Sequence, residues 1–170
     1  MMRLRPATCA DLPILRAWND DPEVAASSGA DGAFDWAAEI PRVVDWREIL
    51  IFEAQGRSIG VLVSIDPARE ESRYWGDCGP GLRALDVWIG AASDRGRGSG
   101  AALTRLAPER RFAQPSVPAG LLAPPAPHVR ACRFYERLGF QAVERRFFGA
   151  DECVVYRLDR AAWASASSSP

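Results

Sequence analysis

A glycine-rich stretch, "SDRGRGSGAA" at residues 93–102, combines residue types and spacing that could bind an anion. It follows an apolar run typical of a strand and precedes a run typical of a helix. Glycine there lets successive backbone N–H groups point toward one spot without a Cβ in the way. The helix N-terminus would add partial positive charge, and the two arginines full charges at the rim. The predicted site consists of Arg95, Gly96, Arg97, Gly98, Ser99 and Gly100. This arrangement suits a pyrophosphate.

The glycine spacing differs from that of most dinucleotide-binding folds. The G-x-G-x-x-G fingerprint needs glycine at 96, 98 and 101, and residue 101 is Ala. The stretch also follows about the fourth predicted strand, whereas the fingerprint usually follows the first. Some variants carry Ala at that place, so spacing alone leaves a nucleotide fold open. All 21 basic residues are arginine, which excludes the lysine-dependent P-loop, Schiff-base chemistry and pyridoxal phosphate.

A second chemical feature is the carboxylate of Asp86 in the strand-like run "ALDVWIG". Strand alternation places Asp86 and Trp88 on one face and the aliphatic residues between them on the other. A charge inside an apolar strand is costly unless it meets a cation. That cation could be a bound ammonium group or one of the many arginines, and the sequence leaves both open.

Composition limits the class of protein. The chain has 170 residues, 48% hydrophobic and 25% charged, which predicts one ordinary globular domain. The N-terminus lacks a signal-like apolar run and no stretch is long enough to cross a bilayer, so we expect a cytoplasmic protein without membrane partners. A net charge of −1 without long basic runs argues against nucleic acid. The four cysteines lack metal or disulfide spacing, so no metal is expected.

The periodicity of the remaining sequence predicts interleaved strands and helices. A first strand (3–7) and helix precede a predicted loop at 20–35 and a short helical or irregular stretch. A tight hairpin at "QGR" follows, and Pro108 is expected to kink or shorten a helix at 98–112. The later predictions are a strand at 119–123, a helix at 129–139 and a final strand pair. The pattern predicts a mixed α/β sheet of about seven strands in one domain, 1–163, before a disordered tail, 164–170.

Three segments resemble one family. "DRGRGSGAAL" is similar to the pyrophosphate loop (Q/R-x-x-G-x-G/A) of the GNAT superfamily of N-acetyltransferases, "RACRFYERLGFQAVERRFF" to its last helix and sixth strand, and "MRLRPATCADLPILRAW" to its first strand and helix. The resemblance extends to about Trp163 and is greatest to the aminoglycoside 6'-N-acetyltransferase-like branch. It implies a single-domain α/β (α+β) GNAT-like fold with a mixed, mostly antiparallel sheet, acetyl-coenzyme A as co-substrate, and a possible homodimer.

The resemblance also implies roles for individual residues. Asp86 would bind the acceptor amine and assist its deprotonation, and the backbone of Trp88, Ile89 and Gly90 would hydrogen-bond the pantetheine arm. Tyr135 would be the general acid for the coenzyme A thiolate, unless it only packs in the core. No cysteine lies where the motifs would place a nucleophile, so direct transfer in a ternary complex is expected.

The acceptor pocket is less specified by the sequence. Trp36 and Trp46 are substrate-binding candidates, together with acidic residues of the first half at Asp31, Asp35 and Glu39; core packing and loop solvation explain them equally well. The sequence also departs from the branch at two positions: Ala123 stands where an Asp is expected, and His128 where a cofactor-side Asn is expected. His128 is still predicted to be a cofactor-binding residue at that position, although it reads more as a loop or helix-cap residue than as a base.

The predicted function is acetyl-coenzyme A-dependent acetylation of a primary amine on a small molecule, with aminoglycosides, other aminosugars and polyamines as candidate acceptors. Two alternatives remain. One is an acyltransferase for a siderophore or a protein N-terminus. The other is a binding module with eroded catalysis, which the departures at Ala123 and His128 suggest.

Overall fold

The strands form where β-branched and aromatic residues alternate, and a two-residue turn fixes the first hairpin. In the computed structural model, which describes residues 1–27 and 34–167, Gln55 and Gly56 both have positive φ, 51° and 76°. This is the backbone of a tight hairpin turn, which glycine accepts readily. The predicted hairpin at "QGR" is therefore confirmed.

The described chain contains seven strands and six α-helices. The strands are β1 (Met2–Pro6), β2 (Arg47–Ala54), β3 (Arg57–Ile65), β4 (Arg83–Ile89), β5 (Ala119–Leu122), β6 (Gln141–Phe148) and β7 (Asp151–Asp159). The helices are α1 (Leu12–Asn19), α2 (Pro22–Ser27), α3 (Trp36–Glu39), α4 (Ser99–Phe112), α5 (Val129–Arg137) and α6 (Arg160–Ser167). Single 3₁₀ turns lie at Cys9–Asp11 and Ala92–Asp94.

The sheet has the order β1-β2-β3-β4-β5-β7-β6. Every neighbouring pair is antiparallel except β4 and β5, which are parallel and are registered only at Arg83 with Gly120 and Ala84 with Leu121. Beyond Ala84 the two strands diverge, and the sheet opens into a gap. The predicted mixed, mostly antiparallel sheet of about seven strands with flanking helices is confirmed.

Apolar residues on the two faces of the sheet bury different helices. On one face, Leu50, Leu62 and Leu85 pack with side chains of α4, α5 and α6. On the other face, Val61 and Val63 pack with Leu15 and Trp18 of α1 and with Trp36 of α3. The gap between β4 and β5 therefore opens between two layers of helices.

Two elements differ from the sequence predictions, and a third keeps its predicted bounds. Residues 22–27, predicted as loop, form α2, because Asp21 accepts the Glu23 N–H and caps a helix that begins at a proline. Helix α4 agrees with the helix predicted at 98–112 and is not shortened at Pro108, because Leu103, Ala107 and Phe112 are buried in the core. Helix α6 extends to residue 167, so the disordered tail predicted from 164 is wrong for 164–167; residues 168–170 lie outside the described part of the chain.

Candidate active site

The divergence of β4 from β5 creates a cleft of about 680 Å³. Its walls come from β4, from the glycine-rich stretch with the start of α4, from the segment after β5 and from α5, and α2 closes one side. Asp86, Trp88, Gly98, His128 and Tyr135 all line it. The fold thus brings most of the predicted site residues to one cavity.

The free edge of β4 presents backbone groups to this cleft. The Gly90 N–H donates to the Ile59 carbonyl at 3.0 Å, so Gly90 faces β3. Because alternate residues of a strand direct their N–H and C=O to opposite edges, Trp88 also faces β3, while Val87 and Ile89 face the gap. The backbone of Ile89 therefore faces the cleft, together with that of Val87, whereas the backbone groups of Trp88 and Gly90 face β3. Hydrogen bonding of a pantetheine arm by residues 88–90 stays a prediction.

Gly90 has a packing role instead. A Cβ built on it would lie 1.9 Å from Trp18 Cε2, so only glycine lets the indole of Trp18 lie against the end of β4. Trp88 is half-buried and meets Trp36 edge-on, with ring centroids 5.8 Å apart. These aromatic contacts fix the end of β4 at the mouth of the cleft.

The glycine-rich stretch forms the turn that leads from β4 into α4. Gly96 and Gly98 have φ of +73° and +81°, which explains why glycine stands at both positions. The Gly98 carbonyl accepts the first helical hydrogen bond of α4, from Ala102 N at 2.9 Å. The N–H groups of the first helical turn have no partner within the helix, and Gly98, Gly100 and Ala101 line the cleft. The turn therefore aims backbone donors and the positive end of α4 at the cavity.

The two arginines of this turn have different environments. Arg97 is exposed, and no ion pair to it is found among residues 1–27 and 34–167. Arg95 forms ion pairs with Asp21, at 2.9 Å, and with Glu23. Its guanidinium also donates to the carbonyls of Ile89 and Gly90. The expectation that Arg95 offers a free charge at the rim is corrected, because two carboxylates neutralise it.

Asp86 is the unpaired carboxylate of the cleft. Its side chain is accessible from the cavity, and no hydrogen bond or salt bridge reaches it within the part of the chain that the structure describes. Protein atoms surround it on its other sides, and this desolvation raises its pKa from 3.8 to about 6. Of the two alternatives left open by the sequence, pairing with an arginine is not found among the described residues.

Tyr135 lies on α5, on the opposite wall. Its ring packs against Phe134, Phe140 and Tyr156 at centroid distances of 5.4, 6.0 and 6.4 Å, while it also lines the cleft. Burial, and secondarily the charge of Asp86, raise the pKa of its hydroxyl, which stays protonated at neutral pH. Tyr135 therefore combines core packing with a cleft-facing position, and the hydroxyl has no hydrogen-bond partner in the described ranges.

Two predicted substrate-binding residues lie elsewhere. Trp36 is 4% exposed, packs against Phe34 and Trp88, and donates its indole N–H to Asn19 at 3.1 Å. Trp46 is half-buried between the guanidinium groups of Arg42 and Arg47, 5.7 and 5.2 Å from the ring centroid. Neither is a described lining residue of the cleft, and apolar burial and cation–π packing account for these tryptophans. Their role in substrate binding stays a prediction without support from the cleft.

The acidic candidates of the first half also have other roles. Asp35 caps α3 by accepting the Ala38 N–H, and Glu39 is paired with Arg47. Asp31 lies outside the described residues.

The segment after β5 and helix α5 supply further lining residues of the cleft. His128 is the N-cap residue of α5 and lines the cleft, as does Ala123 at the end of β5. Arg130 and Arg137 were not predicted; they are exposed lining residues of the same helix. Their spacing from Phe134, four and three residues, places all three on one helix face. That spacing was the signal that could have identified them.

No group of three or more metal-ligating side chains is found in residues 1–27 and 34–167. Over the same ranges, no helix combines the length and apolarity needed to cross a membrane.

The fold and cleft agree with a comparison of the sequence with known families. Residues 8–147 match the acetyltransferase (GNAT) domain, so the chain belongs to this family of N-acetyltransferases. The aminoglycoside N(6')-acetyltransferase type 1 of Klebsiella pneumoniae is 28% identical over 146 residues, which cover 81% of this chain and 73% of that protein. The kanamycin resistance protein of Rhizobium radiobacter is 36% identical over 73 residues, 42% of this chain and 68% of that protein.

Solved structures share the whole architecture. The aminoglycoside acetyltransferase AAC(6')-Ib in complex with ribostamycin and coenzyme A superposes with a TM-score of 0.89, at 25% identity and with 99% of each chain covered. The spermidine N-acetyltransferase of Vibrio cholerae, in complex with coenzyme A and spermine, gives a TM-score of 0.75 at 16% identity, covering 96% of this chain and 98% of that chain. The second likeness shows a common fold. The family resemblance predicted from the sequence is confirmed.

Proposed function

We propose that this N-acetyltransferase transfers the acetyl group of acetyl-coenzyme A directly to a primary amine of a small molecule, without a covalent enzyme intermediate. One observation carries the proposal: a single cleft is lined by a helix N-terminus with a glycine turn, by a carboxylate that has no partner among the described residues, and by a protonated phenol on the opposite wall. These are the groups that acetyl transfer to an amine needs.

The coenzyme side of the cleft fits a phosphate-bearing pantetheine. The turn at Gly96 and Gly98 and the first turn of α4 supply N–H donors and positive potential for a pyrophosphate. The β4 edge at Val87 and Ile89 offers strand-like hydrogen bonding to an amide-containing arm. Arg130, on the wall formed by α5, adds a cationic side chain to the cleft. Relatives solved with coenzyme A share this architecture and support the assignment.

The acceptor side of the cleft supports a cationic amine. Glu23 and Asp86 are the described carboxylates that line the cleft, and Glu23 is paired with Arg95. Asp86 is therefore the described anionic partner available to an ammonium group, and Ala123 contributes no charge. We infer that aminoglycosides, other aminosugars and polyamines are the acceptor classes to test, and that a small monoamine suits this cleft better than a multiply charged aminoglycoside.

The proposed chemistry balances with the two side chains. An ammonium bound at Asp86 gives a proton to the carboxylate, whose pKa of about 6 lets it accept and release protons near neutral pH. The neutral amine then forms the new N–C bond at the thioester carbonyl carbon, and the C–S bond breaks. Tyr135 donates its proton to the departing sulfur, and the acetylated nitrogen loses its second proton to solvent. Solvent then reprotonates the Tyr135 phenolate and takes the proton held by Asp86, so one proton is released in the whole reaction. The products are an N-acetyl amine and the free thiol.

The test is a thiol-release assay with acetyl-coenzyme A over kanamycin, ribostamycin, spermidine, glucosamine, amino acids and peptides. Calorimetry with acetyl-coenzyme A alone accompanies it. We expect binding together with turnover of at least one small amine, abolished by Asp86→Asn and kept in the surface control Asp45→Asn. Binding without turnover of any amine would instead favour an eroded binding module. Turnover of peptide N-termini alone would favour a protein acyltransferase.

A further inference from the structure

Arg95 has contacts that its place in the glycine turn does not require. A residue that binds a pyrophosphate from this turn should direct its guanidinium to the cleft, with charge to spare. Arg95 does line the cleft, but its side chain is only 19% exposed and its guanidinium is paired with the carboxylates of Asp21 and Glu23. It also donates to the carbonyls that end β4, at Ile89 and Gly90. One guanidinium therefore joins the turn, the end of β4 and the start of α2.

Helix α2 depends on such an external tie. It has only six residues, too few to be stable by its own backbone hydrogen bonds. Asp21 caps it by accepting the Glu23 N–H at 2.9 Å, and the same carboxylate pairs with Arg95. The hydrogen bond from Arg95 lowers the pKa of Asp21, so the pair stays charged at neutral pH. The cap and the tie therefore share one residue.

The position of α2 connects this tie to the acceptor. Glu23, Val24 and Ala26 line the same cleft as Asp86. Strand alternation places the side chain of Asp86 on the face of the sheet that carries Trp88, and this is the face covered by α1 and α3. Helix α2 follows α1 directly and packs against it, whereas α4 and α5 lie on the opposite face. Helix α2 is thus a wall on the acceptor side.

We infer that Arg95 is a positioning residue for acceptor binding: by holding α2 against the end of β4, it sets the acceptor-side wall of the cleft and is not a ligand of the coenzyme pyrophosphate. This inference rests on the proposed function for its kinetic part. Its structural part, the tie between Arg95 and α2, is independent of any activity.

The experiment compares Arg95→Gln, Arg95→Lys and Asp21→Asn with the wild-type chain and with Arg110→Gln as control. Arg110 forms an exposed ion pair with Glu48 and does not line the cleft, so its loss removes a comparable surface pair. The readouts are amide hydrogen exchange of residues 23–27 without ligand, acetyl-coenzyme A affinity by calorimetry, and KM and kcat for kanamycin, spermidine and glucosamine.

We expect faster exchange of the α2 amides, by about tenfold or more, in Arg95→Gln and Asp21→Asn, because each loses a charge-assisted hydrogen bond at the helix start. The acceptor KM should rise by about the same factor while kcat and acetyl-coenzyme A affinity change little. In Arg95→Lys, the α2 exchange rate and the acceptor KM should lie between those of the wild type and of Arg95→Gln. The ammonium keeps the charge but lacks the planar guanidinium that reaches four acceptors. The control should match the wild type.

Two results would overturn the inference. One is a loss of about tenfold in acetyl-coenzyme A affinity in Arg95→Gln, with unchanged acceptor KM and unchanged α2 exchange. A loss of that size would show that Arg95 makes a charge-assisted hydrogen bond to the coenzyme. The other is unchanged α2 exchange in Asp21→Asn, which also decides the matter if Arg95→Gln does not fold. Failure of the proposed function is distinguishable from these results, because the wild-type chain itself would then not bind acetyl-coenzyme A.

Discussion

Asp86→Asn should lower activity and raise stability at the same time. The amide keeps the size of the side chain and removes its charge, so an acceptor ammonium loses a charge-assisted hydrogen bond of about 1.5 to 3 kcal/mol. That corresponds to a loss of about ten- to a hundredfold in kcat/KM, and more if the carboxylate also takes the proton. In the wild type, kcat/KM should fall as the pH drops through about 6, where Asp86 becomes protonated. In the Asp86→Asn variant, kcat/KM should not fall in this way at acidic pH.

The stability effect follows from the same pKa. Asp86 has a pKa of about 6 in the fold against an ordinary value of 3.8, because the fold desolvates its charged form. The folded state thus binds the proton more tightly than the unfolded state, so its contribution to stability is full below about pH 4 and is lost as the pH rises through 6. Complete desolvation would make the loss about 3 kcal/mol. Since the cleft admits solvent to the carboxylate, we expect about 1 kcal/mol.

Thermal unfolding at several pH values checks this reasoning. The ligand-free Asp86→Asn chain should melt about 2–4 °C above the wild type at pH 8 and together with it near pH 4. The matched control is Asp45→Asn: Asp45 is exposed, and its hydrogen bond from Arg69 lowers its pKa, so its removal should not stabilise the chain. An Asp86→Asn chain that is less stable at pH 8, with wild-type kcat/KM for its best acceptor, would refute the account of this carboxylate.

Four further substitutions test other parts of the site. Gly98→Glu places a charged side chain at φ +81° beside the predicted pyrophosphate site; we expect acetyl-coenzyme A affinity to fall more than about tenfold, and unchanged calorimetry in a folded variant would contradict this. Tyr135→Phe should lower kcat about a hundredfold with little change in coenzyme affinity, whereas a wild-type kcat would leave Tyr135 as a packing residue. Ala123→Asp should raise kcat/KM for kanamycin relative to glucosamine, and no change in that ratio would show that the acceptor does not bind next to residue 123. Gly90→Ala should destabilise the chain by about 1–3 kcal/mol in denaturant unfolding, because its Cβ would overlap the indole of Trp18; equal stability would show that the indole moves freely.

Local patterns were sufficient to predict the strands, the hairpins and the cleft-facing glycines. The hairpin turn at Gln55 and Gly56 and the position of Asp86 within an apolar strand can be predicted because they depend mainly on neighbouring residues in the sequence. Helix α2 had a local signal as well, an Asp followed by a Pro, but the surrounding polar residues outweighed it. The start of α2 therefore follows from local capping chemistry, in which Asp21 accepts the Glu23 N–H.

The partners of Arg95 could not be predicted in the same way. Asp21 and Glu23 lie more than 70 residues earlier in the chain, and only the folded sheet brings them to the glycine turn. The same holds for Trp36, whose burial against Trp88 depends on how α3 packs on the sheet. Which edge of β4 is free also follows from strand order, so the assignment of backbone donors at residues 88–90 required the three-dimensional register.

The short pairing between β4 and β5 also affects how the chain folds. Strands β2 and β3 form one hairpin with a two-residue turn, and β6 and β7 form a second hairpin, so both pairs can gain structure from contacts close in sequence. Joining them requires Arg83 and Ala84 to meet residues 120 and 121, after α4 has formed the crossover. We expect this parallel junction to form late in refolding, and to be the place where the native sheet first separates on unfolding.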